Sequence, residues 1–305
     1  MSTPTREGLA PFSVQSVGKS YETYYKVYGD LKSGVTPVIV IHGGPGNTHE
    51  YLAPLVDLTQ VYGRPIVFYD QLGNGGSTFL RAKSGDNFWE PQLFVEEFHN
   101  LVTFLGIEEY SIVGHSWGAI LGLEIAVKQP KGLRRLVLSS GLVSMELWEQ
   151  STAKLLRMMP EDIQKTIRDN ESAGTFDSPD YQKANLEFTL RFGIRMNPLP
   201  DEAGALFRAF EKNPTIYYTM QGPSEFTITG SLRSWNIISE LHKINVPTLL
   251  TNGAYDTAQD LVMAPAFEKI SKVKWYTFSR SAHMAFVEER EKYMKVVAEF
   301  LAYEQ

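Results

Sequence analysis

The first half of the chain alternates short apolar runs with segments in which apolar residues recur at helical spacing. The runs PVIVI at 37–41 and PIVFY at 65–69 are rich in β-branched residues and end abruptly at a polar residue. Such runs are typical of strands that are buried on both faces. Further strands are predicted at 21–28 (exposed), 110–113 and 135–138, and helices at 91–105 and 119–128. This alternation indicates a mostly parallel sheet with helices on both faces.

The pattern changes between residues 143 and 243, where helical spacing dominates and prolines recur. Helices are predicted there at 146–158, 161–170, 181–192 and 202–212. The alternation then resumes, with strands at 246–251 and 273–278 and helices at 263–271 and 289–303. Because loops at the carboxyl ends of strands can grow without disturbing a sheet, we interpret the middle region as a helical insertion. The predicted division is a first core segment at 1–142, a helical cap at 143–243 and a second core segment at 244–305.

Composition excludes several kinds of site and partner. The 305 residues include no cysteine, which excludes disulfides, thiolate metal sites and a cysteine nucleophile. The 29 Lys and Arg residues are outnumbered by 35 Asp and Glu, and the net charge of −6 argues against nucleic acid or an anionic membrane as the main partner. Neither a membrane-spanning run nor a signal-peptide pattern occurs. We therefore expect a cytoplasmic protein, with a secreted protein that lacks disulfides as the alternative.

The sequence GHSWG at 114–118 matches the pattern G-x-S-x-G. It directly follows the predicted strand at 110–113 and directly precedes a predicted helix. A turn this tight between a strand and a helix leaves the serine hydroxyl exposed, and the flanking glycines permit the close approach of the two elements. We therefore predict that Ser116 is the nucleophile of an α/β-hydrolase fold. The alternative is an ordinary glycine-rich turn whose serine caps a helix.

A serine nucleophile needs a histidine base and a carboxylate that orients it, and in this fold they follow the serine in the order acid, histidine. Only His242 and His283 follow Ser116. His283 comes after the strand at 273–278 and is the predicted base, whereas His242 precedes a strand and belongs to the opposite edge of the sheet. Asp256 directly follows the preceding strand and is the predicted acid; Asp260 is the rival.

The glycine-rich turn HGGPG at 42–46 follows the first buried strand. Such a turn can direct a backbone N–H at a developing oxyanion, together with the N–H of the residue after the nucleophile. The predicted donors are Gly44 and Trp117, and Gly43 is a further candidate for substrate binding. A phosphate-binding turn is disfavoured, because no G-x-x-x-x-G-K-[ST] or G-x-G-x-x-G pattern follows a strand.

Three motifs together resemble the proline iminopeptidases, which are α/β-hydrolase serine aminopeptidases. They are HGGPG at 42–46, DQLGNGGS at 70–77 and GHSWG at 114–118, and GPSEFTITG at 222–230 is similar to the cap of the tricorn-interacting aminopeptidase branch. The resemblance implies a helical cap over the triad, no metal or other cofactor, and carboxylates that bind the free α-ammonium of the substrate. Glu225 corresponds to one of these carboxylates, with a surface or capping role as the alternative. The second, which directly follows the triad acid in that branch, is replaced here by Thr257.

The resemblance implies cleavage of an N-terminal residue, proline or a small apolar amino acid, from a peptide or aminoacyl amide. Because Thr257 is neutral, the alternative is an esterase or amidase for a specialised metabolite without a free amino group. A non-catalytic ligand-binding module of the same fold is a third hypothesis. The pairs at 96–97 and 108–109 are interpreted as solvated acidic residues. Four cap aromatics are interpreted as packing, with an apolar pocket as the alternative: Trp148, Tyr217, Tyr218 and Phe226.

Overall fold

Eight strands form a single sheet in the computed structural model, which describes residues 3–14, 18–80 and 88–302. The strands are β1 (Arg6–Val14), β2 (Lys19–Tyr28), β3 (Val38–Ile41), β4 (Ile66–Tyr69), β5 (Tyr110–His115), β6 (Leu133–Ser139), β7 (Thr248–Gly253) and β8 (Val273–Phe278). Their order is β1-β2-β4-β3-β5-β6-β7-β8. The pairs β1/β2 and β2/β4 are antiparallel and the other pairs are parallel. The predicted mostly parallel sheet is confirmed.

The helices lie on both faces of the sheet and in one long insertion. They are α1 (Asp57–Gln60), α2 (Pro91–Phe104), α3 (Trp117–Ala126), α4 (Met145–Leu156), α5 (Glu161–Ala173), α6 (Pro179–Phe192), α7 (Asp201–Lys212), α8 (Thr215–Met220), α9 (Asp260–Lys269), α10 (Ala285–Glu288) and α11 (Arg290–Ala302). Within the described residues, 3-10 helices also span His49–Val56 and Leu241–Lys243. Helices α4 to α8 all lie between β6 and β7 in the chain, so the inserted helical cap is present. The division at residues 142/143 and 243/244 stays a prediction.

Alternate side chains of the central strands enter two different hydrophobic clusters. Ile39 and Ile41 of β3 belong to the cluster that includes α2 and α3, whereas Val38 and Val40 belong to the cluster that includes α11. Burial on both faces explains why the apolar run is continuous rather than alternating. A third cluster lies within α4, α5 and α6 and the segments that join them, so the cap has a small hydrophobic core of its own.

The structure differs from the sequence-based elements in a few places. Strand β1 and helix α8 were not expected, and the strand expected to be exposed is the half-buried β2, with alternate residues such as Tyr25 and Val27 buried. Helix α3 begins two residues earlier than expected, directly after Ser116. The last residue of the expected final helix, Tyr303, lies outside the described residues. No helix within those residues is both long and apolar enough to cross a membrane.

Candidate active site

Ser116 occupies a strained turn between β5 and α3. Its backbone has φ 56° and ψ −120°, a left-handed φ that a residue with a side chain rarely adopts. The Ser116 N–H donates to the carbonyl of Ser139 on the neighbouring strand at 2.9 Å, and the Ser116 carbonyl accepts from the Ala119 N–H at 2.8 Å. These bonds hold the turn on both sides, and they leave the side chain at the carboxyl edge of the sheet.

Two glycines make this turn sterically possible. A Cβ at Gly114 would lie 2.2 Å from the carbonyl oxygen of Gly118, and a Cβ at Gly118 would lie 2.0 Å from that of Ile41. Both neighbours are backbone atoms, which cannot rotate out of the way as a side chain can. The glycines of the G-x-S-x-G pattern are therefore required by close contact among β3, β5 and α3.

His283 and Asp256 form a hydrogen-bonded pair near the carboxyl ends of β8 and β7. His283 Nδ1 lies 2.7 Å from Asp256 Oδ1, and the carboxyl group is fully buried. Asp256 also accepts the N–H of Ala258 at 2.8 Å and that of Gly253 at 3.2 Å. With its oxygens oriented by these donors, the carboxylate fixes the imidazole so that Nδ1 carries the proton and Nε2 has the lone pair.

Electrostatics favour the charged state of both partners in this pair. Burial alone would lower the pKa of His283, but the charge and hydrogen bond of Asp256 and the charge of Glu225 outweigh burial and raise it above 6.5. Burial alone would raise the pKa of Asp256, but the charge and hydrogen bond of His283 outweigh burial and lower it. The site can therefore stabilise an imidazolium that forms beside Asp256.

The rival residues lie elsewhere. His242 is in the 3-10 helix that precedes β7, at the amino end of that strand. Asp260 is the first residue of α9, and its Oδ1 accepts a hydrogen bond from the Asn252 side chain at 3.2 Å. Neither residue has a contact with His283 among the hydrogen bonds of the described residues.

The turn at 42–46 runs beside Ser116. Gly44 has φ 118°, and a Cβ there would lie 2.6 Å from the Gly46 nitrogen, so this position requires glycine. A Cβ at Gly43 would lie 3.1 Å from the Ser116 Cβ, which shows how closely the turn approaches Ser116. Within residues 3–14, 18–80 and 88–302, no hydrogen-bond acceptor takes the N–H of Gly44 or Trp117. Both predicted donors are thus available to a bound group.

A hydrogen-bond chain that sequence reasoning missed connects this turn to His283. The Gly43 N–H donates to the Tyr51 hydroxyl at 2.6 Å, and that hydroxyl donates to His115 Nδ1 at 2.8 Å. His115 Nε2 in turn donates to the His283 carbonyl at 2.8 Å. Burial lowers the pKa of His115 to about 3, so the ring stays neutral and can act as both donor and acceptor. His115 stood in the GHSWG motif, but no signal in the sequence marked Tyr51.

Gly43 also accepts a hydrogen bond, so both of its backbone polar groups have protein partners. Its carbonyl oxygen lies 2.9 Å from His42 Nδ1. His42 Nε2 accepts the Gln71 N–H at 3.0 Å, and the Gln71 side chain accepts the Trp117 indole N–H at 2.8 Å. The three motifs at 42–46, 70–77 and 114–118 are therefore joined by direct hydrogen bonds. A substrate-binding role for Gly43 stays a prediction.

A cavity of about 320 Å³ opens over Ser116 and His283, beneath the cap. Its walls are largely apolar and include Phe188, Phe207 and Phe210 from α6 and α7. Glu225 also lines this cavity and accepts a hydrogen bond from the Tyr217 hydroxyl at 2.5 Å. Burial raises the pKa of Glu225, against the opposing effects of that hydrogen bond and of the His283 charge.

A much smaller recess of about 20 Å³ adjoins Ser116 on another side. It is lined by apolar side chains of α3 and the cap and by both predicted oxyanion donors, Gly44 and Trp117. Glu225 borders the recess as well as the larger cavity. A carboxylate therefore stands at the junction of the two spaces next to the serine.

Thr257 contacts the histidine–aspartate pair directly. Its hydroxyl oxygen lies 3.1 Å from His283 Nδ1 and 3.4 Å from Asp256 Oδ1. A neutral hydroxyl therefore stands where the tricorn-interacting branch was expected to place a second carboxylate. Glu225 is the acidic residue of the described chain that lines the Ser116 cavity.

Two further expectations have mixed outcomes. Of the cap aromatics, Trp148 and Tyr217 line the Ser116 cavity, whereas Tyr218 is 47% exposed and Phe226 packs against the cap core. The expectation that Glu97 is solvated is wrong. Its side chain is fully buried and accepts hydrogen bonds from the Thr23 hydroxyl at 2.5 Å and the Leu72 N–H at 2.9 Å.

Known proteins are similar to this chain in sequence and in fold. Residues 36–290 match the family model for the alpha/beta hydrolase fold. A proline iminopeptidase of Clostridium botulinum is 34% identical over 296 residues, which is 97% of both chains. The crystal structure of VinJ is 40% identical with a TM-score of 0.93, covering 98% of this chain and 99% of that one. The crystal structure of a proline iminopeptidase from Mycobacterium smegmatis is 37% identical with a TM-score of 0.89, covering 97% of each chain.

Proposed function

Because the chain belongs to the proline iminopeptidase family of α/β-hydrolase serine aminopeptidases, we propose that it cleaves an N-terminal residue from peptides or aminoacyl amides through an acyl-enzyme on Ser116. The observation that carries this proposal is the 2.7 Å hydrogen bond between His283 and Asp256. His283 lines the same cavity as Ser116, whose backbone is strained. A second candidate is hydrolysis of esters or amides that lack a free amino group, and the neutral Thr257 favours it.

The reaction begins when Ser116 Oγ attacks the carbonyl carbon of the substrate and its proton passes to His283 Nε2. Asp256 stabilises the resulting imidazolium through the Nδ1–H bond. The imidazolium then gives its proton to the leaving amine as the C–N bond breaks. Water, deprotonated by the same imidazole, hydrolyses the acyl-enzyme and restores the serine hydroxyl.

The N–H groups of Gly44 and Trp117 stabilise the negative oxygen of the tetrahedral intermediate. Trp117 is the first residue of α3, where a backbone N–H has no partner within the helix. Two preorganised donors of this kind need no rearrangement as charge develops, and each contributes about 3 kcal/mol to lowering the barrier.

Glu225 binds the free α-ammonium of the substrate. Its carboxylate borders the space on both sides of Ser116, and a cationic amine would stabilise its ionised form against the effect of burial. The side chain of the N-terminal residue enters the small recess, and the leaving group occupies the larger apolar cavity. A recess of about 20 Å³ favours compact residues such as proline or alanine over long side chains.

The nucleophile is tested by replacement of its hydroxyl. Ser116→Ala is expected to lower kcat about 10⁶-fold while leaving the circular dichroism spectrum unchanged. Ser234→Ala, an exposed serine, is the matched control and keeps full activity. A fluorophosphonate is expected to label the wild-type protein and not Ser116→Ala. Turnover by Ser116→Ala, or an unlabelled wild type, would refute this mechanism, and the unlabelled outcome would favour a non-catalytic module.

Substrate class is tested with prolyl anilide, its N-acetylated form, simple esters and a panel of aminoacyl anilides. We expect hydrolysis of the free-amine prolyl and alanyl substrates at least tenfold faster than that of leucyl or phenylalanyl ones. The N-acetylated substrate is expected to be poor. If the N-acetylated amide or an ester is hydrolysed and none of the free-amine anilides is, the protein is not an aminopeptidase. That result would support the second candidate, hydrolysis of esters or amides that lack a free amino group.

A further inference from the structure

The carboxyl end of α6 in the cap is bonded directly to both loops that carry the histidine–aspartate pair. The last carbonyl groups of a helix have no partner within the helix. Here the Phe192 carbonyl accepts the Thr257 N–H at 3.2 Å, and the Gly193 carbonyl accepts the His283 N–H at 3.1 Å. Thr257 directly follows Asp256. The end of one cap helix therefore holds the backbone beside the acid and the backbone of the histidine itself.

The backbone of His283 is held from two sides. Its carbonyl accepts from His115 Nε2 at 2.8 Å and from the Ser140 hydroxyl at 3.1 Å. Both of these donors lie at the carboxyl ends of core strands, β5 and β6. The N–H of His283, in contrast, donates to Gly193 of the cap. The cap therefore supplies one of the restraints that fix the position of the imidazole.

Glu288 on α10 joins the same two parts of the molecule through its side chain. One carboxyl oxygen accepts the Arg195 N–H of the cap at 2.6 Å, and the other accepts the N–H of Ala282, the residue before His283, at 2.7 Å. Burial raises the pKa of Glu288, although both hydrogen bonds oppose the rise because they favour the ionised form. Hydrogen bonds to a carboxylate are roughly twice as strong as those between neutral groups, so this bridge is a firm one.

The bonded segment at 192–195 also faces the space over the nucleophile. Gly193 and Ile194 line the Ser116 cavity, as do Phe188 and Thr189 one turn earlier in α6. A group bound in this cavity therefore contacts the same stretch of backbone that holds His283.

We propose that residues 192–195 of the cap position the catalytic base, and that Glu288 is the positioning residue that joins this segment to His283. The inference rests on the proposed function in one respect, that His283 is the base for Ser116. A misplacement of about 1 Å in a catalytic site can cost about 100-fold in rate. Loss of the bridge is therefore expected to slow the chemical step rather than to weaken substrate binding.

The test is the rate at which a fluorophosphonate labels Ser116, measured at a pH where the wild-type rate no longer rises. Glu288→Gln has nearly the same shape, but its amide group can accept only one of the two N–H bonds. It is expected to lower the labelling rate and kcat about tenfold each, with KM changed less than about twofold. Glu291→Gln, at an exposed position on α11, is the matched control and should label as wild type does.

Two substitutions of Arg195 test the cap side of the bridge. Proline has no N–H to donate to Glu288, whereas alanine keeps the N–H and removes only the side chain. Arg195 lies between α6 and α7, so the proline interrupts no helix. Arg195→Pro is expected to slow labelling about tenfold, as Glu288→Gln does, and Arg195→Ala to label as wild type does.

Glu289→Gln separates positioning of the base from general support of its loop. Glu289 accepts the Arg280 N–H at 2.9 Å and the Ser281 hydroxyl at 2.8 Å in the loop before His283. Within residues 3–14, 18–80 and 88–302, its carboxyl group has no hydrogen bond to the cap. Glu289→Gln should unfold at a lower urea concentration, but the folded protein should label within about twofold of the wild-type rate.

The proposal is overturned if Glu288→Gln labels as fast as wild type, or if Glu288→Gln and Glu289→Gln slow labelling alike. Equal rates for Arg195→Pro and Arg195→Ala also overturn it, and this pair decides the matter if Glu288→Gln does not fold. A labelled wild type with unaffected variants leaves the proposed function in place. A wild type that is not labelled refutes the proposed function and, with it, the role of His283 as a base.

Discussion

Three carboxylates raise the pKa of His283, and one of them, Asp256, is hydrogen-bonded to it. Asp256 accepts the hydrogen bond from Nδ1, whereas Glu225 acts through its charge across the cavity. Asp256, Glu225 and, more weakly, Glu288 raise the pKa of His283 above the ordinary 6.5 and together outweigh the opposite effect of burial. Besides the amine binding proposed for it, Glu225 therefore alters the pH at which His283 becomes protonated.

The pH profile of hydrolysis tests this coupling. The base must be neutral to accept the serine proton, so kcat/KM is expected to fall on the acid side with a midpoint above pH 6.5. Glu225→Gln removes a negative charge, which lowers the pKa of His283 and moves the midpoint to lower pH. An ester without an amino group is the appropriate substrate, because its binding does not require the carboxylate.

The control for this experiment is Glu187→Gln, an exposed carboxylate on α6, which should leave the midpoint unchanged. A midpoint that is the same in wild type and Glu225→Gln would contradict the electrostatic coupling. A loss of activity on prolyl anilide, without any shift of the midpoint on the ester, would instead assign Glu225 to substrate binding alone.

At the scale of elements, the contact between α3 and β3 depends on the absence of one methyl group. Gly118→Ala would place a Cβ 2.0 Å from the carbonyl oxygen of Ile41 and is expected to destabilise the fold by about 3 kcal/mol or more. Gly122→Ala, one turn later in α3, meets only side chains of Ile112, Leu136 and Leu138 at 3.3 Å or more. We expect it to change the free energy of unfolding by less than about 1 kcal/mol. Urea unfolding of both variants measures the difference, and equal stabilities would contradict the close contact.

The strands and helices that were predicted correctly carry strong local patterns. The runs of β3 and β4 are short and wholly apolar, and α2 repeats its apolar residues at helical spacing. Strand β1 was missed because Gly8 and Pro11 interrupt its pattern. Proline is tolerated there since β1 is the edge strand and pairs only with β2. Edge position is a property of the assembled sheet, which local sequence does not contain.

The residues of the site also fall into two groups, those that local sequence identified and those that only the folded chain reveals. Ser116, Asp256 and His283 were selected from motif and strand order, and the structure brings the last two within hydrogen-bonding distance. Tyr51 could not be selected, because its hydroxyl reaches His115 across 64 residues and only packing brings the two together. Glu288 could not be selected either, because one of its two N–H donors lies 93 residues away in the cap.

At the scale of the whole molecule, one buried carboxyl group joins three distant parts of the chain. Glu97 on α2 accepts the hydroxyl of Thr23 from β2 and the N–H of Leu72 in the loop after β4. Its burial could have been predicted, since it lies on the same helical face as Phe94 and Leu101, three residues before and four residues after. Burial raises the pKa of this group to about 7, although both hydrogen bonds oppose the rise.

This raised pKa makes the stability of the fold depend on pH. Between the ordinary pKa of about 4.5 and the folded value of about 7, the folded protein keeps a proton on Glu97 that the unfolded chain releases. The contribution of Glu97 to the free energy of unfolding therefore falls as pH rises through this window, by roughly 3 kcal/mol in total.

The variant Glu97→Gln tests this dependence, because its side chain cannot ionise and its neutral amide oxygen can still accept from Thr23 and Leu72. Relative to this variant, the wild type is expected to lose roughly 3 kcal/mol of stability between pH 4.5 and 7.5, as measured by urea unfolding. Glu96→Gln, at the exposed neighbouring position, should show no such dependence. A difference between wild type and Glu97→Gln that stays constant with pH would show that the buried carboxyl group is ionised throughout, held by its two donors despite its burial.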